Sequence, residues 1–155
     1  VSADHLVYIS EAGMKAMAAS GTVAVLLPGT TFSLGGRQYA PAREMIERGM
    51  VVALSTDCNP GSSFSESLPM IISLAAVQMK LTAAEALSAT TVNAAVAIDR
   101  GGQIGQLDAG KQADMVIWDM ADYRELPYHY GVNLVSRVIK RGKTVAKRRI
   151  LGNVN

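Results

Sequence analysis

Three short strand-like segments, separated by stretches long enough to form helices, constrain the fold of this chain more than any other feature. The segments span residues 1–8, 22–27 and 50–54. The run 22–27 is uninterrupted and apolar, which is typical of a strand covered on both faces. Ser10 suits the start of a first intervening helix, and Pro41 suits the start of a second. Because crossovers of helical length join parallel strands, we predict a βαβ array.

Downstream of the third segment, the pattern stays helical and then changes to strands. Helices are predicted from residue 65 to 79, after a capping box at 82–85, and from 91 to 98. A strand is predicted at 113–119, followed by a hairpin with arms 134–140 and 143–147. Residues 28–31 close the second strand, and we interpret residues 127–131 as a loop rich in aromatic residues. The change of pattern predicts a boundary near residue 100, with an α/β unit at 1–100 and a small β element at 101–155.

The composition limits the classes of protein to which the chain can belong. Of its 155 residues, 49% are hydrophobic and 18% charged, which indicates a globular domain or part of a larger one. A formal net charge of +2 does not favour a nucleic-acid partner, and no apolar run reaches the ~18 residues of a membrane helix. The first residues carry neither a signal-peptide pattern nor an initiating Met, so we expect a segment of a longer protein. Cys58 is the single cysteine, which suits a reducing, cytoplasmic compartment, and we interpret it as a packing residue.

Ionisable side chains follow two of the predicted strands at the point where each strand ends. Asp57 comes directly after the third strand, and His5 lies at the end of the first. The carboxyl ends of parallel strands meet at one edge of a sheet, where α/β enzymes keep their chemistry. Asp57 is therefore a candidate metal ligand or general base, and His5 a candidate catalytic residue. The alternatives are a carboxylate that caps the next turn and a structural histidine.

A loop rich in small polar residues follows Asp57. Asn59, Gly61 and Ser62 suit the binding of an anionic group, because glycine allows close backbone approach and the next helix offers free N–H groups. The glycine spacing does not match a P-loop or a dinucleotide-binding fingerprint. The same residues are also good turn formers, so an ordinary polar turn remains the alternative.

Five motifs, in order along the chain, resemble the imidazolonepropionase family of the metal-dependent amidohydrolase superfamily. They are SADHL at 2–6, VLLPG at 25–29, STDCNPGS at 55–62, GKQAD at 110–114 and ELPYHYGVN at 125–133. The resemblance implies the C-terminal part of a TIM (β/α)8 barrel, followed by strands of a small β-sandwich. It also implies hydrolysis of 4-imidazolone-5-propanoate to N-formimidoyl-L-glutamate, a step of histidine degradation that uses one Zn or Fe ion.

The resemblance assigns a role to each candidate site residue. Asp57 corresponds to the family aspartate that binds the metal and accepts a proton from the attacking water. His5 corresponds to the histidine near the scissile amide, and Asn59, Gly61 and Ser62 correspond to positions that contact the substrate or product.

The chain departs from the family pattern at the metal site. Its two histidines are His5 and His129, and it contains no His-x-His pair. We therefore expect a fragment that is inactive alone, lacks most metal ligands, and pairs with a missing N-terminal portion or with a second copy as a homo-oligomer. Two alternatives remain open: another amidohydrolase, such as a purine-type aminohydrolase, and a non-catalytic α/β binding or assembly module.

Overall fold

A three-stranded parallel sheet forms the first half of the chain in the computed structural model, which describes residues 2–148. Its strands are β1 (Ser2–Asp4), β2 (Val23–Leu26) and β3 (Val52–Leu54), in the order β1-β2-β3. Ala24 of the central strand pairs with Ala3 on one side and with Val52 on the other. The predicted βαβ array is thus confirmed, although residue 1 of the first predicted segment lies outside the described residues.

Helix α1 (Glu11–Ser20) connects β1 to β2, and its ends carry the expected caps. The N-H of Gly13 donates to the Oγ of Ser10 at 3.1 Å, and Gly21 ends the helix at a φ of 67°. Glycine reaches this left-handed conformation without the steric cost that a Cβ imposes. The predicted start and end of this helix are therefore confirmed.

Residues 28–31 close strand β2 as predicted, and they do so within a short helix, α2 (Pro28–Ser33), that the sequence patterns did not predict. Pro28 occupies the start of the helix, where its fixed φ and missing N–H are tolerated. The helix is short and contains a glycine and two β-branched threonines, which have low helix propensity. Its formation therefore depends on packing, and α2 lies against a later helix, α4 (Leu68–Met79).

Four further helices complete the first half of the chain. They are α3 (Ala42–Glu47), α4 (Leu68–Met79), α5 (Ala83–Thr90) and α6 (Val92–Ala97). Helix α4 begins three residues later than predicted, because Ser67 caps it and Pro69 must lie in the first turn. The capping box of α5 is confirmed, since Thr82 and Glu85 each accept a hydrogen bond from the other's backbone N–H.

The hydrophobic core lies between the parallel sheet and these helices. Leu26, Met45 and Ile71 are among its largest fully buried side chains. Helices α5 and α6 pack on β3, and α6 also contacts β2. The central strand is thus covered, and the chemistry of this half is confined to the ends of its strands.

A second, antiparallel sheet follows, with the order β4-β5-β6. Its strands are β4 (Met115–Trp118), β5 (Val135–Lys140) and β6 (Lys143–Lys147). The predicted hairpin is confirmed, and Arg141 and Gly142 form its turn with φ angles of 51° and 76°. The two sheets lie on either side of residue 100 in the sequence. The division into units 1–100 and 101–155 stays a prediction, and residues 149–155 lie outside the described residues.

A short helix, α7 (Glu125–Tyr128), occupies part of the segment interpreted as an aromatic loop. Its Leu126 is buried in the main core, and α7 packs against α4. The aromatic residues Tyr128 and Tyr130 stay exposed, so one apolar side chain anchors the segment to the core. Within residues 2–148, no helix is both long and apolar enough to cross a membrane.

Candidate functional site at the strand ends

The carboxyl ends of all three parallel strands carry a polar side chain directed at one shared region. His5 follows β1, Thr30 lies in the first turn of α2 directly after β2, and Asp57 follows β3. The hydrogen bonding between β1 and β2 continues as far as His5, because the His5 N–H donates to the Val25 carbonyl at 3.0 Å. The parallel register thus places the three side chains next to one another.

The Asp57 carboxylate is the meeting point of these three residues. Its Oδ2 accepts a hydrogen bond of 2.6 Å from the Thr30 hydroxyl, and it lies 3.9 Å from Nε2 of His5. The side chains of His5 and Asp57 are 53% and 27% exposed, so the imidazole is accessible to solvent while the carboxylate is half-buried. The two residues predicted to converge are therefore brought together, and a proton on His5 would make them an ion pair.

The backbone at both strand ends adopts an uncommon conformation. His5, Leu6 and Asp57 have φ angles of 66°, 58° and 49°, in the left-handed region that residues with a Cβ rarely occupy. Each such residue costs of order 1–3 kcal/mol and persists only where the surrounding structure enforces it. Strain of this kind clusters at functional sites, which supports a functional interpretation of His5 and Asp57.

The loop after Asp57 is closed by the side chain of Asn59. Its Oδ1 accepts hydrogen bonds from the N–H groups of Gly61 and Ser62, both at 2.9 Å, and its Nδ2 donates to the Asp57 carbonyl at 2.7 Å. The Asn59 amide and the Ser62 hydroxyl also lie within hydrogen-bond distance of each other. The polar groups predicted to bind substrate are thus engaged with one another here, next to the carboxylate. Their role in substrate binding stays a prediction.

Close packing beneath the site joins the segments that carry Thr30 and Asp57. The Ser63 hydroxyl donates to the Thr56 carbonyl at 2.9 Å. A Cβ added to Gly29 would lie 2.7 Å from Cδ1 of Ile71 and 3.2 Å from the Ser63 Oγ, so only glycine fits without displacement. The loops after β2 and β3 therefore form one rigid support.

Sequence reasoning missed Thr30 and misjudged Cys58. Thr30 is not among the predicted site residues, yet its position after a covered strand matches the positions of His5 and Asp57 and could have identified it. Cys58 is exposed, so its interpretation as a packing residue is wrong. It follows Asp57, whose left-handed backbone turns the chain away from the sheet.

The described part of the chain does not contain a complete metal site. No group of three or more His, Cys, Asp or Glu residues suited to hold an ion occurs within residues 2–148. The chain instead offers one carboxylate, in which Oδ1 of Asp57 receives no hydrogen bond from any described residue. Asp57 therefore fits the role of a single ligand in a site that needs further ligands from elsewhere.

Comparison with known proteins identifies relatives along nearly the whole chain. A model described as the amidohydrolase family matches residues 1–145. The imidazolonepropionase of Bacillus velezensis is 60% identical over 148 residues, which cover 96% of this chain and 35% of that protein. The imidazolonepropionase of Parabacteroides distasonis is 52% identical over 143 residues, which cover 92% and 34% respectively. The chain thus spans about a third of the length of the curated relatives that it matches.

Solved structures give the same fold. An adenosine deaminase from Xanthomonas campestris with bound zinc matches 92% of this chain and 36% of its own, with a TM-score of 0.81 and 26% identity. Atrazine chlorohydrolase TrzN from Arthrobacter aurescens, complexed with zinc, matches 99% and 38%, with a TM-score of 0.85 and 22% identity. With the family match, these likenesses indicate an α/β fold of the TIM-barrel type.

Proposed function

Because the chain belongs to the amidohydrolase family, we propose that it forms part of an enzyme that hydrolyses 4-imidazolone-5-propanoate to N-formimidoyl-L-glutamate. The observation that carries the proposal is the convergence of His5 and Asp57, whose Nε2 and Oδ2 atoms lie 3.9 Å apart at the strand ends. The identity of 60% to an imidazolonepropionase supports this substrate over others of the family. The activity would belong to a polypeptide of the relatives' length, of which this chain supplies about a third.

We propose that Asp57 is one ligand of a divalent metal ion, Zn or Fe, at this site. A bound ion would supply a nucleophile at neutral pH by lowering the pKa of a coordinated water to about 7. Three protein ligands are usual for a catalytic zinc, so the remaining ligands must come from outside the described residues. The zinc bound in an adenosine deaminase of the same fold supports a metal in this family.

The side chains of this chain would divide the proton transfers of the reaction. The Asp57 carboxylate accepts the proton of the attacking water, which adds to the amide carbonyl carbon of the ring. The solvent-accessible imidazole of His5 stabilises the developing oxyanion or delivers a proton to the nitrogen of the breaking C–N bond. These roles need a half-buried carboxylate beside an accessible imidazole, which matches their exposures.

Asn59, Gly61 and Ser62 are proposed to contact the propionate-bearing substrate or its product. The Gly61 and Ser62 N–H groups point inward to Asn59 Oδ1. An anionic substrate group could compete with this amide oxygen for the same donors, because both are hydrogen-bond acceptors. Substrate binding would then exchange hydrogen bonds within the loop instead of leaving backbone donors unpaired.

The fold supports a specific place for the chain in the larger enzyme. We propose that residues 1–100 are the last βα units of the barrel and that residues 101–155 are strands of a β-sandwich. Strands β1 and β3 are the two edges of the parallel sheet within the described residues. Unpaired edges attract further strands, so we propose that they pair with the rest of the barrel, and that a homo-oligomer forms from the complete enzyme.

Activity of the longest natural polypeptide that contains this chain tests the proposal. We expect it to convert 4-imidazolone-5-propanoate, and we expect Asp57→Asn to lower kcat/KM by about 100- to 10,000-fold. The matched control is Glu66→Gln, which makes the same change from carboxylate to amide at an exposed residue. This variant should retain the parent activity.

Three outcomes would contradict these proposals. Turnover of purine-type amines without turnover of the imidazolone would favour an aminohydrolase. A protein that contains no metal and turns over neither substrate would favour a non-catalytic binding or assembly module. Turnover by the 155-residue chain alone would contradict the proposal that the other ligands lie outside it.

A further inference from the structure

We propose that Thr30 is a positioning residue that determines which oxygen of Asp57 is presented to a metal ion. The inference rests on the proposed function only in assuming that Asp57 is a metal ligand. Its basis is a contact between two strand ends, in which the Thr30 hydroxyl donates to Asp57 Oδ2 at 2.6 Å.

The contact has the geometry of a strong hydrogen bond. An O–H group that donates to a carboxylate typically lies 2.5–2.7 Å from it, and such a bond is about twice as strong as one between neutral groups. Thr30 is 9% exposed, so water competes little for its hydroxyl. Its single proton is therefore committed to Oδ2.

The two oxygens of Asp57 are consequently different. Oδ2 receives the Thr30 proton and also faces His5 Nε2 at 3.9 Å, whereas Oδ1 receives no hydrogen bond from residues 2–148. A metal ion needs a free lone pair in a fixed direction, which Oδ1 can provide. Hydrogen bonds to a ligating carboxylate orient it and are part of a metal site's design.

The backbone on both sides of the contact is held in place. Thr30 donates its own N–H to the Leu27 carbonyl at 3.1 Å, and the adjacent Gly29 packs against Ile71 without room for a Cβ. On the other side, the Ser63 hydroxyl donates to the carbonyl of Thr56, directly before Asp57. A rigid donor and a rigid acceptor fix the carboxylate rotamer more than a flexible pair would.

Zinc affinity of the longest natural polypeptide that contains this chain tests the inference, measured by competition with a chelator using Zn²⁺ alone. Thr30→Val keeps the β-branched shape and removes the hydroxyl, and we expect about 10- to 100-fold weaker zinc binding. Thr30→Ser keeps the hydroxyl and should bind within about threefold of the parent. Thr31→Val is the matched control, because Thr31 is the next residue of α2 and its hydroxyl makes no hydrogen bond with the described residues.

Each outcome separates this inference from the proposed function. Parent-like zinc affinity in Thr30→Val, or equal weakening in Thr31→Val, would overturn the role of Thr30 even in an active enzyme. Weakened zinc binding in Thr30→Val, with rescue by serine, would support it even if imidazolone is not turned over. A parent protein that does not bind zinc would overturn this inference, whereas its turnover of the imidazolone would still support the proposed function. If Thr30→Val does not fold, as judged by circular dichroism, Thr30→Ala provides the same comparison.

Discussion

Replacement of Glu85 by Gln tests how much the contact between Glu85 of α5 and Arg43 of α3 stabilises the fold. The Glu85 carboxylate accepts hydrogen bonds from both terminal nitrogens of Arg43, at 2.6 and 3.1 Å, and this pair links α5 to α3. The same carboxylate accepts the N–H and the hydroxyl of Thr82, both at 2.8 Å. The hydrogen bonds from Arg43, and then those from Thr82, lower the pKa of Glu85 to about 2 despite its partial burial.

The lowered pKa of Glu85 determines how much stability Glu85→Gln should lose and over which pH range. A fall from 4.5 to about 2 corresponds to at most about 3 kcal/mol of stabilisation at neutral pH. The side chains of Arg43 and Glu85 are 32% and 30% exposed, so solvent screening reduces the expected loss in Glu85→Gln to about 1–2 kcal/mol. Because the folded-state pKa is the lower one, this stabilisation is complete above pH 4.5 and disappears as the pH falls towards 2. The difference in free energy of unfolding between the parent and Glu85→Gln should therefore fall below about half of its value at neutral pH by pH 3.

Urea denaturation followed by fluorescence of the single tryptophan, Trp118, measures this difference, since Trp118 packs against the core. Glu66→Gln is the control, because the exposed Glu66 side chain makes no hydrogen bond or ion pair with the described residues. An equal loss of stability in both variants would refute the reasoning. A Glu85→Gln effect of the same size at pH 7 and pH 3 would also refute it.

Two further predictions concern the support of the site and the second sheet. Gly29→Ala should lower the free energy of unfolding by about 1–3 kcal/mol, because its Cβ would lie 2.7 Å from Ile71 Cδ1; thermal or urea denaturation measures this. Asp114→Asn should increase amide hydrogen exchange at Arg141 by about tenfold, because the Asp114 carboxylate accepts the Arg141 N–H at 2.8 Å. That N–H, assisted by Lys140, lowers the pKa of Asp114 to about 2, so parent protection should persist at pH 4 and disappear only as the pH falls towards 2.

Matched variants distinguish these effects from general perturbation. Gly102→Ala adds the same methyl group where no atom lies within 4 Å, and it should leave the stability unchanged. Asp99→Asn removes an exposed carboxylate that makes no side-chain hydrogen bond among the described residues, and it should leave exchange at Arg141 unchanged. Comparable effects in a variant and its control would mean that the named contact is not the cause.

Local sequence patterns were sufficient to predict most of the helices and strands. Ser10 and Gly21 bound α1, and the capping box at Thr82 and Glu85 begins α5, because these residues satisfy or tolerate the geometry of helix ends in any context. Helix α2 was missed, since its residues have little helix propensity and depend on packing against α4. Helix α7 was missed for a similar reason, since buried Leu126 stabilises its single turn.

The candidate site was predictable in part. The position of His5 and Asp57 directly after strands identified both residues, because parallel strands present their carboxyl ends to one region. The hydroxyl of Thr30 could not be assigned to Asp57 from a separation of 27 residues, since the pairing depends on the register of β2 and β3. The engagement of Asn59 with Gly61 and Ser62 also became evident only from the folded loop.

By itself, the sequence determined the order of the strands and helices, the resemblance to a family, and the two ionisable residues at the strand ends. These features depend on local propensity and on the alternation of strand and helix, which are encoded within short windows of residues. Only the tertiary structure decided that Thr30 contacts Asp57, that Oδ1 remains free, and that Gly29 must lack a Cβ. Those features arise where strands far apart in sequence meet, so their geometry depends on the packing of the whole sheet.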